Sequence, residues 1–74
     1  MKITYDPEVD ALYIELRKAK PAGSVDLEDG VTADLDAEGH VIGLEVLDAS
    51  ERLGADPLTR LTIERLSLPL KETA

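Results

Sequence analysis

Two consecutive runs, Val31 to Asp36 and Val41 to Leu47, alternate apolar and polar residues with a period of two, and the residues between them include Glu38-Gly39. That period belongs to strands with one covered and one open face, so the centre of the chain reads as an antiparallel hairpin and not as helix. The same alternation precedes it in Ile3 and Tyr5, again in Leu12, Ile14 and Leu16, and in Ser24 to Leu27. Asp6-Pro-Glu-Val-Asp10 and Lys18-Ala-Lys-Pro-Ala-Gly23 carry the turn residues that separate these runs.

Register follows from matching apolar residues across each turn. A three-residue loop Glu28-Asp29-Gly30 pairs Leu27 with Val31 and Val25 with Ala33, with Gly30 at the left-handed position. A turn at Glu38-Gly39 pairs Leu35 with Ile42, Ala33 with Leu44 and Val31 with Val46. One face then collects Val25, Leu27, Val31, Ala33, Leu35, Ile42, Leu44 and Val46, joined by Leu12, Ile14 and Leu16. The other face collects Tyr13, Glu15, Arg17, Thr32, Asp34, Asp36 and Glu45, with Gly43 leaving a gap beside Asp34.

The expected fold is α+β: an antiparallel β-meander of about five strands and a short helix after the last strand. Asp48 or Ser50 caps that helix, which runs through Arg52 or Leu53 and stops at Gly54. Beyond Gly54 the pattern is divided. Asp56-Pro57 suits a helix start, while Leu61-Thr-Ile-Glu64 and Leu66-Ser-Leu-Pro-Leu70 alternate, so a C-terminal helix or strand through residues 57–70 is expected to cover the core or a partner subunit.

At 74 residues the chain is expected to form a single domain, near the size at which one core suffices. It has no cysteine, one histidine, no Phe or Trp, and only Tyr5 and Tyr13 as aromatics. Disulfides and a structural zinc are excluded, and a thin aliphatic core favours a homodimer. Sixteen acidic against eight basic residues give a net charge of −8, which repels phosphate backbones and anionic membranes and suits a small basic protein partner. Met1-Lys-Ile-Thr-Tyr5 does not read as a signal peptide or a span, so a cytoplasmic location is expected. The absence of Asn and Gln points to a thermophilic source.

Little in the chain suits catalysis. His40 falls in a turn, no thiol is present, and the serines occupy ordinary structural settings, so no nucleophile and base are paired and no cofactor is expected. The sharpest chemical motif is Asp34-Leu-Asp36-Ala-Glu38-Gly39 followed by Glu45, which nearly matches a calcium-loop spacing with Asp34, Asp36, Glu38 and Glu45 as ligands. It lies between strands and not helices, and Gly39 is already needed for the turn. Tyr13, Glu15, Arg17, Asp34 and Glu45 on the outer face form the candidate binding surface.

Tyr5-Asp-Pro-Glu-Val-Asp-Ala-Leu-Tyr-Ile-Glu-Leu-Arg17, Gly30-Val-Thr-Ala-Asp-Leu-Asp36, Gly39-His-Val-Ile-Gly-Leu-Glu-Val-Leu-Asp-Ala-Ser50 and Arg52 together resemble the small prokaryotic family labelled domain of unknown function 2283. The resemblance spans residues 5 to 53. It implies a small protein with no assigned activity and no catalytic residues to transfer, and some members look like acidic antitoxin halves of toxin and antitoxin pairs. The readings in play are an interaction module, antitoxin-like in character; a divalent-metal or small-ligand module; and an enzyme of unknown reaction.

Overall fold

The computed structural model describes residues 1–54 and 58–66. Five antiparallel strands form one sheet: β1 (Lys2–Asp6), β2 (Ala11–Glu15), β3 (Gly23–Glu28), β4 (Val31–Leu35) and β5 (Val41–Val46), followed by a short helix α1 (Ala49–Leu53). The mainly antiparallel α+β expectation therefore holds for these residues. The simple meander does not, because the spatial order is β1-β2-β5-β4-β3. After β2 the chain crosses to the far edge, and β3, β4 and β5 return as a meander that ends beside β2. This is a Greek-key connection.

Residues directly paired across strands share a face, and the registers give complete cross-sheet rows. Ile3, Ile14, Leu44, Ala33 and Val25 form one apolar row from edge to edge. Tyr5, Leu12, Val46 and Val31 continue that face. On the opposite face, Thr4, Tyr13, Glu45, Thr32 and Asp26 make one row, and Lys2, Glu15, Gly43, Asp34 and Ser24 the next. The division into faces follows the alternation in the sequence.

Two registers depart from expectation by one residue each. Leu35 pairs with Val41 and not with Ile42, because a bulge at Ile42 absorbs the odd residue between the Asp36–His40 closure and the Asp34–Gly43 pair. The Ile42 carbonyl then accepts both the Leu16 and Arg17 amides of the chain leaving β2, at 2.9 and 3.4 Å, and its side chain is only 2% exposed. Likewise Glu28, and not Leu27, pairs with Val31, leaving Leu27 on a bulge and 59% exposed. Gly30 has the positive φ expected of it, 87°.

α1 closes the end of the sheet at which β2 and β4 begin and β3 and β5 finish. Asp48 stands at the expected N-cap position and Gly54 at the expected stop, but Asp48 is left-handed (φ 52°) and its side chain makes no capping bond, while Ser50 lies inside the helix. The end of α1 is tied down by Arg52. Its Nε donates to the Leu47 carbonyl at 2.9 Å, its Nη1 to Glu28 at 2.9 Å, and its Nη2 to the Asp29 carbonyl. The guanidinium lies against Gly30, where a Cβ would stand 3.0 Å from its central carbon.

The buried apolar residues among those described are Leu12, Ala33, Ile42 and Ala49. Among the described residues, a single sheet layer and one five-residue helix bury few apolar side chains, in keeping with the shallow aliphatic composition. Residues 58–66 form neither strand nor α-helix. Leu61-Thr-Ile-Glu64 alternates but has no partner strand, and Leu61, Ile63 and Leu66 stay exposed instead of covering the core. Leu58 and Leu61 do line a shallow groove of 290 Å³ with Ile3, Tyr5 and Leu12. The expected helix start at Asp56-Pro57 and the alternation beyond Leu66 lie outside the described residues. No helix among those described is long and apolar enough to cross a membrane.

Candidate functional site

The outer face is organised around Tyr13. Its backbone pairs with Glu45, but its ring leans diagonally across the neighbouring strand, and its hydroxyl donates to Asp34 Oδ2 on β4 at 2.8 Å. Gly43 permits this crossing. A Cβ on residue 43 would overlap the Tyr13 hydroxyl and lie 2.6 Å from ring carbon Cζ, well inside contact distance. The gap expected beside Asp34 is thus filled by the phenol.

The hydrogen bond to Asp34 holds the Tyr13 phenol above its ordinary pKa. Burial, and the charges of Asp34, Glu15 and Glu45, push it the same way. The phenol therefore stays a neutral donor, ringed by three carboxylates. Tyr13, Asp34 and Glu15 are half-buried, whereas Glu45 is exposed. Arg17 stands apart from this group and forms an ion pair with Asp36 nearer the β4–β5 turn.

Asp36 serves the turn itself. Its Oδ1 accepts the Glu38 and His40 amides, each at 2.9 Å, while its backbone pairs with His40 and Gly39. The His40 amide bond is the main reason its pKa is lowered, with the Glu38 amide and the Arg17 charge adding to it. The calcium-like spacing is accordingly distributed: Asp34 holds Tyr13, Asp36 holds the turn, Glu38 is exposed in that turn, and Glu45 lies on the open sheet face. Among the described residues no group of three His, Cys, Asp or Glu side chains is arranged to hold a metal ion.

A second polar node joins Asp10 of the first turn to Tyr5 and Ser50. Asp10, left-handed at φ 55°, accepts the Tyr5 hydroxyl at 2.6 Å, the Ser50 hydroxyl at 2.7 Å and the Ser50 amide at 3.0 Å. Its carbonyl accepts the Ala49 amide at 3.0 Å. A carboxylate forty residues away in the chain thereby satisfies the amide that a local cap would serve. The Tyr5 bond is the largest cause of its lowered pKa, followed by Ser50, and the same bond raises that of Tyr5. With Leu12 opposite Val46, the β2–β5 register extrapolates to Asp10 opposite Asp48, a juxtaposition that requires the strand order and that alternation alone does not give.

Both lowered carboxylates give stability a definite pH dependence. A folded-state pKa below the unfolded value means stability that is complete above the ordinary Asp range and lost as pH falls through the folded value. We expect the melting temperature to drop below pH about 4, and to drop less steeply in Asp10→Asn and Asp36→Asn. An acid slope identical in wild type and both variants contradicts the assignment.

Residues 2–50, which include all five strands, match the family described as Protein of unknown function (DUF2283). The chain belongs to that family. Tyr5, Asp10, Tyr13, Asp34, Gly43, Glu45 and Ser50 all fall within the DUF2283 match. A relative from Methanocaldococcus jannaschii, Uncharacterized protein MJ0789, is 39% identical over 56 residues, covering 76% of this chain and 47% of the relative. The chain thus spans about half the length of the curated relative it matches. No solved structure matches it.

Proposed function

We propose that this DUF2283 chain is a non-enzymatic interaction module whose outer sheet face receives a small basic protein, in the manner of an acidic antitoxin. The observation that carries this reading is the Tyr13 phenol, fixed across Gly43 onto Asp34 with Glu15 and Glu45 beside it. An aromatic ring with a polar tip among carboxylates offers both apolar contact and charge to a Lys- or Arg-rich surface. The net charge of −8 extends that attraction beyond contact range.

Among the described residues Ser50 has a structural duty and His40 stands exposed in a turn, which supports the non-enzymatic reading. The Ser50 hydroxyl donates to Asp10, and exposed His40 stands 4.0 Å from exposed Glu38 in the turn. The test is affinity capture from the native host with tagged wild type and the Glu15→Lys, Glu45→Lys double variant. Recovery of one small basic protein by wild type, lost in the variant and at high salt, is the expected result. A capture profile indifferent to both charges overturns the reading.

A further inference from the structure

We infer that the β3 edge is a docking site for an extended basic segment, which adds to the sheet as a sixth strand and reaches the acidic outer face from its rim. This rests on the interaction-module reading and specifies how such a partner engages. All six residues of β3 are exposed, and among the described residues β4 pairs with one of its two sides and nothing pairs with the other. An edge strand presents unpaired backbone amides and carbonyls, and strand addition is an established use of such edges.

The two edges of the sheet differ. β1 carries Lys2 on its outer face, and its apolar side has residues 58–61 beside Ile3 and Tyr5. β3 keeps an unbroken register from Gly23 to Asp26 and carries no basic residue. Along it the outer face presents Ser24 and Asp26, and the apolar face presents Val25, 46% exposed. Asp26 is held in place by the Thr32 hydroxyl, which donates to its Oδ1 at 3.1 Å. In the same outer-face row Glu45 follows beyond the neutral Thr32, so a Lys or Arg entering beside Asp26 has a second carboxylate two strands further in.

The same features select the occupant. A second copy pairing its own β3 here in parallel would set Asp26 against Asp26, like charges that destabilise when placed opposite, and an antiparallel copy centred on Val25 would set Ser24 opposite Asp26 and supply it no cation. A segment alternating Lys or Arg with aliphatic residues matches both faces: its cations lie beside Asp26 and its aliphatic side chains beside Val25. The Leu27 bulge ends the regular register, so the new strand pairs over Gly23 to Asp26.

The probe is a labelled peptide of alternating Lys and Val, titrated into the whole chain by fluorescence anisotropy with amide hydrogen exchange followed in parallel. Slowed exchange within Ser24 to Asp26, about tenfold weaker binding to Asp26→Lys, and loss of binding when alternate peptide amides are N-methylated are the expected results. Binding that survives N-methylation, with changes centred on Glu15 and Glu45, overturns strand addition and leaves the interaction-module reading intact. Failure of the peptide to bind overturns the edge site, while host capture continues to decide the module reading independently. Concentration-dependent protection of β3 without peptide assigns the edge to a second copy and also overturns it.

Discussion

Asp10→Ala is expected to lower the melting temperature by roughly 10–20 °C, the largest single effect in the sheet's polar framework. One carboxylate fastens three elements: Tyr5 on β1, the β1–β2 turn that contains Asp10, and Ser50 on α1. Alanine removes every side-chain acceptor at once and places a Cβ residue without local polar compensation in the left-handed region. Asn retains one acceptor and tolerates that conformation, so Asp10→Asn is expected to fall between Ala and wild type. Tyr5→Phe removes a single bond and is expected to cost least. Circular dichroism melts check the order, and Asp10→Ala melting within about 2 °C of wild type, well under the effect of one lost cap, contradicts it.

Gly43→Val is expected to act through Tyr13. The added side chain occupies the path of the phenol, so the ring must swing away and the bond to Asp34 is lost. Because the obstruction is the far end of a side chain on a half-open face, the sheet itself remains intact. Crowding of this kind costs about 1–2 kcal/mol, equivalent to a fall of roughly 5–15 °C in melting temperature. The diagnostic is non-additivity. In a Tyr13→Ala background the same Gly43→Val change should cost about 1 kcal/mol less, since nothing remains to collide with. Equal costs in both backgrounds would mean that Gly43 serves the backbone and not the phenol.

Much of the fold was legible because hairpin registers are local. Val25 with Ala33, Ala33 with Leu44 and Val31 with Val46 follow from alternation and turn length, and all three pairs are present. Strand order was not legible, because residues 18–22 between β2 and β3 encode a break but no direction. Both a meander and a crossover satisfy the same alternation. The bulges at Leu27 and Ile42 were equally hidden, since each shifts a register by one residue without disturbing the apolar pattern further along the strand.

The candidate site was legible in membership more than in arrangement. Tyr13, Glu15, Asp34 and Glu45 share the outer face as the alternation requires, and Gly43 lies beside Asp34. The bond from Tyr13 to Asp34 needed strand order, because it crosses β5 to join β2 to β4. The same missing information concealed the Asp10 node. Asp10 and Ser50 each read as local turn and cap residues until β2 pairs with β5 and brings them together. Arg52 stood within the motif, but its link to the β3–β4 turn depends on where α1 lies across the sheet end.

The most direct test of the central claim, that the acidic outer face ordered by Tyr13 is the binding surface, is the affinity of the basic protein recovered by capture for wild type and Tyr13→Phe, at low and high salt. Removing only the hydroxyl releases Asp34 while preserving the ring and the net charge. Tyr13→Phe is expected to bind about tenfold more weakly, corresponding to the loss of one charge-assisted hydrogen bond's worth of order, and salt is expected to weaken binding by both proteins. Equal, salt-independent affinities would contradict that claim.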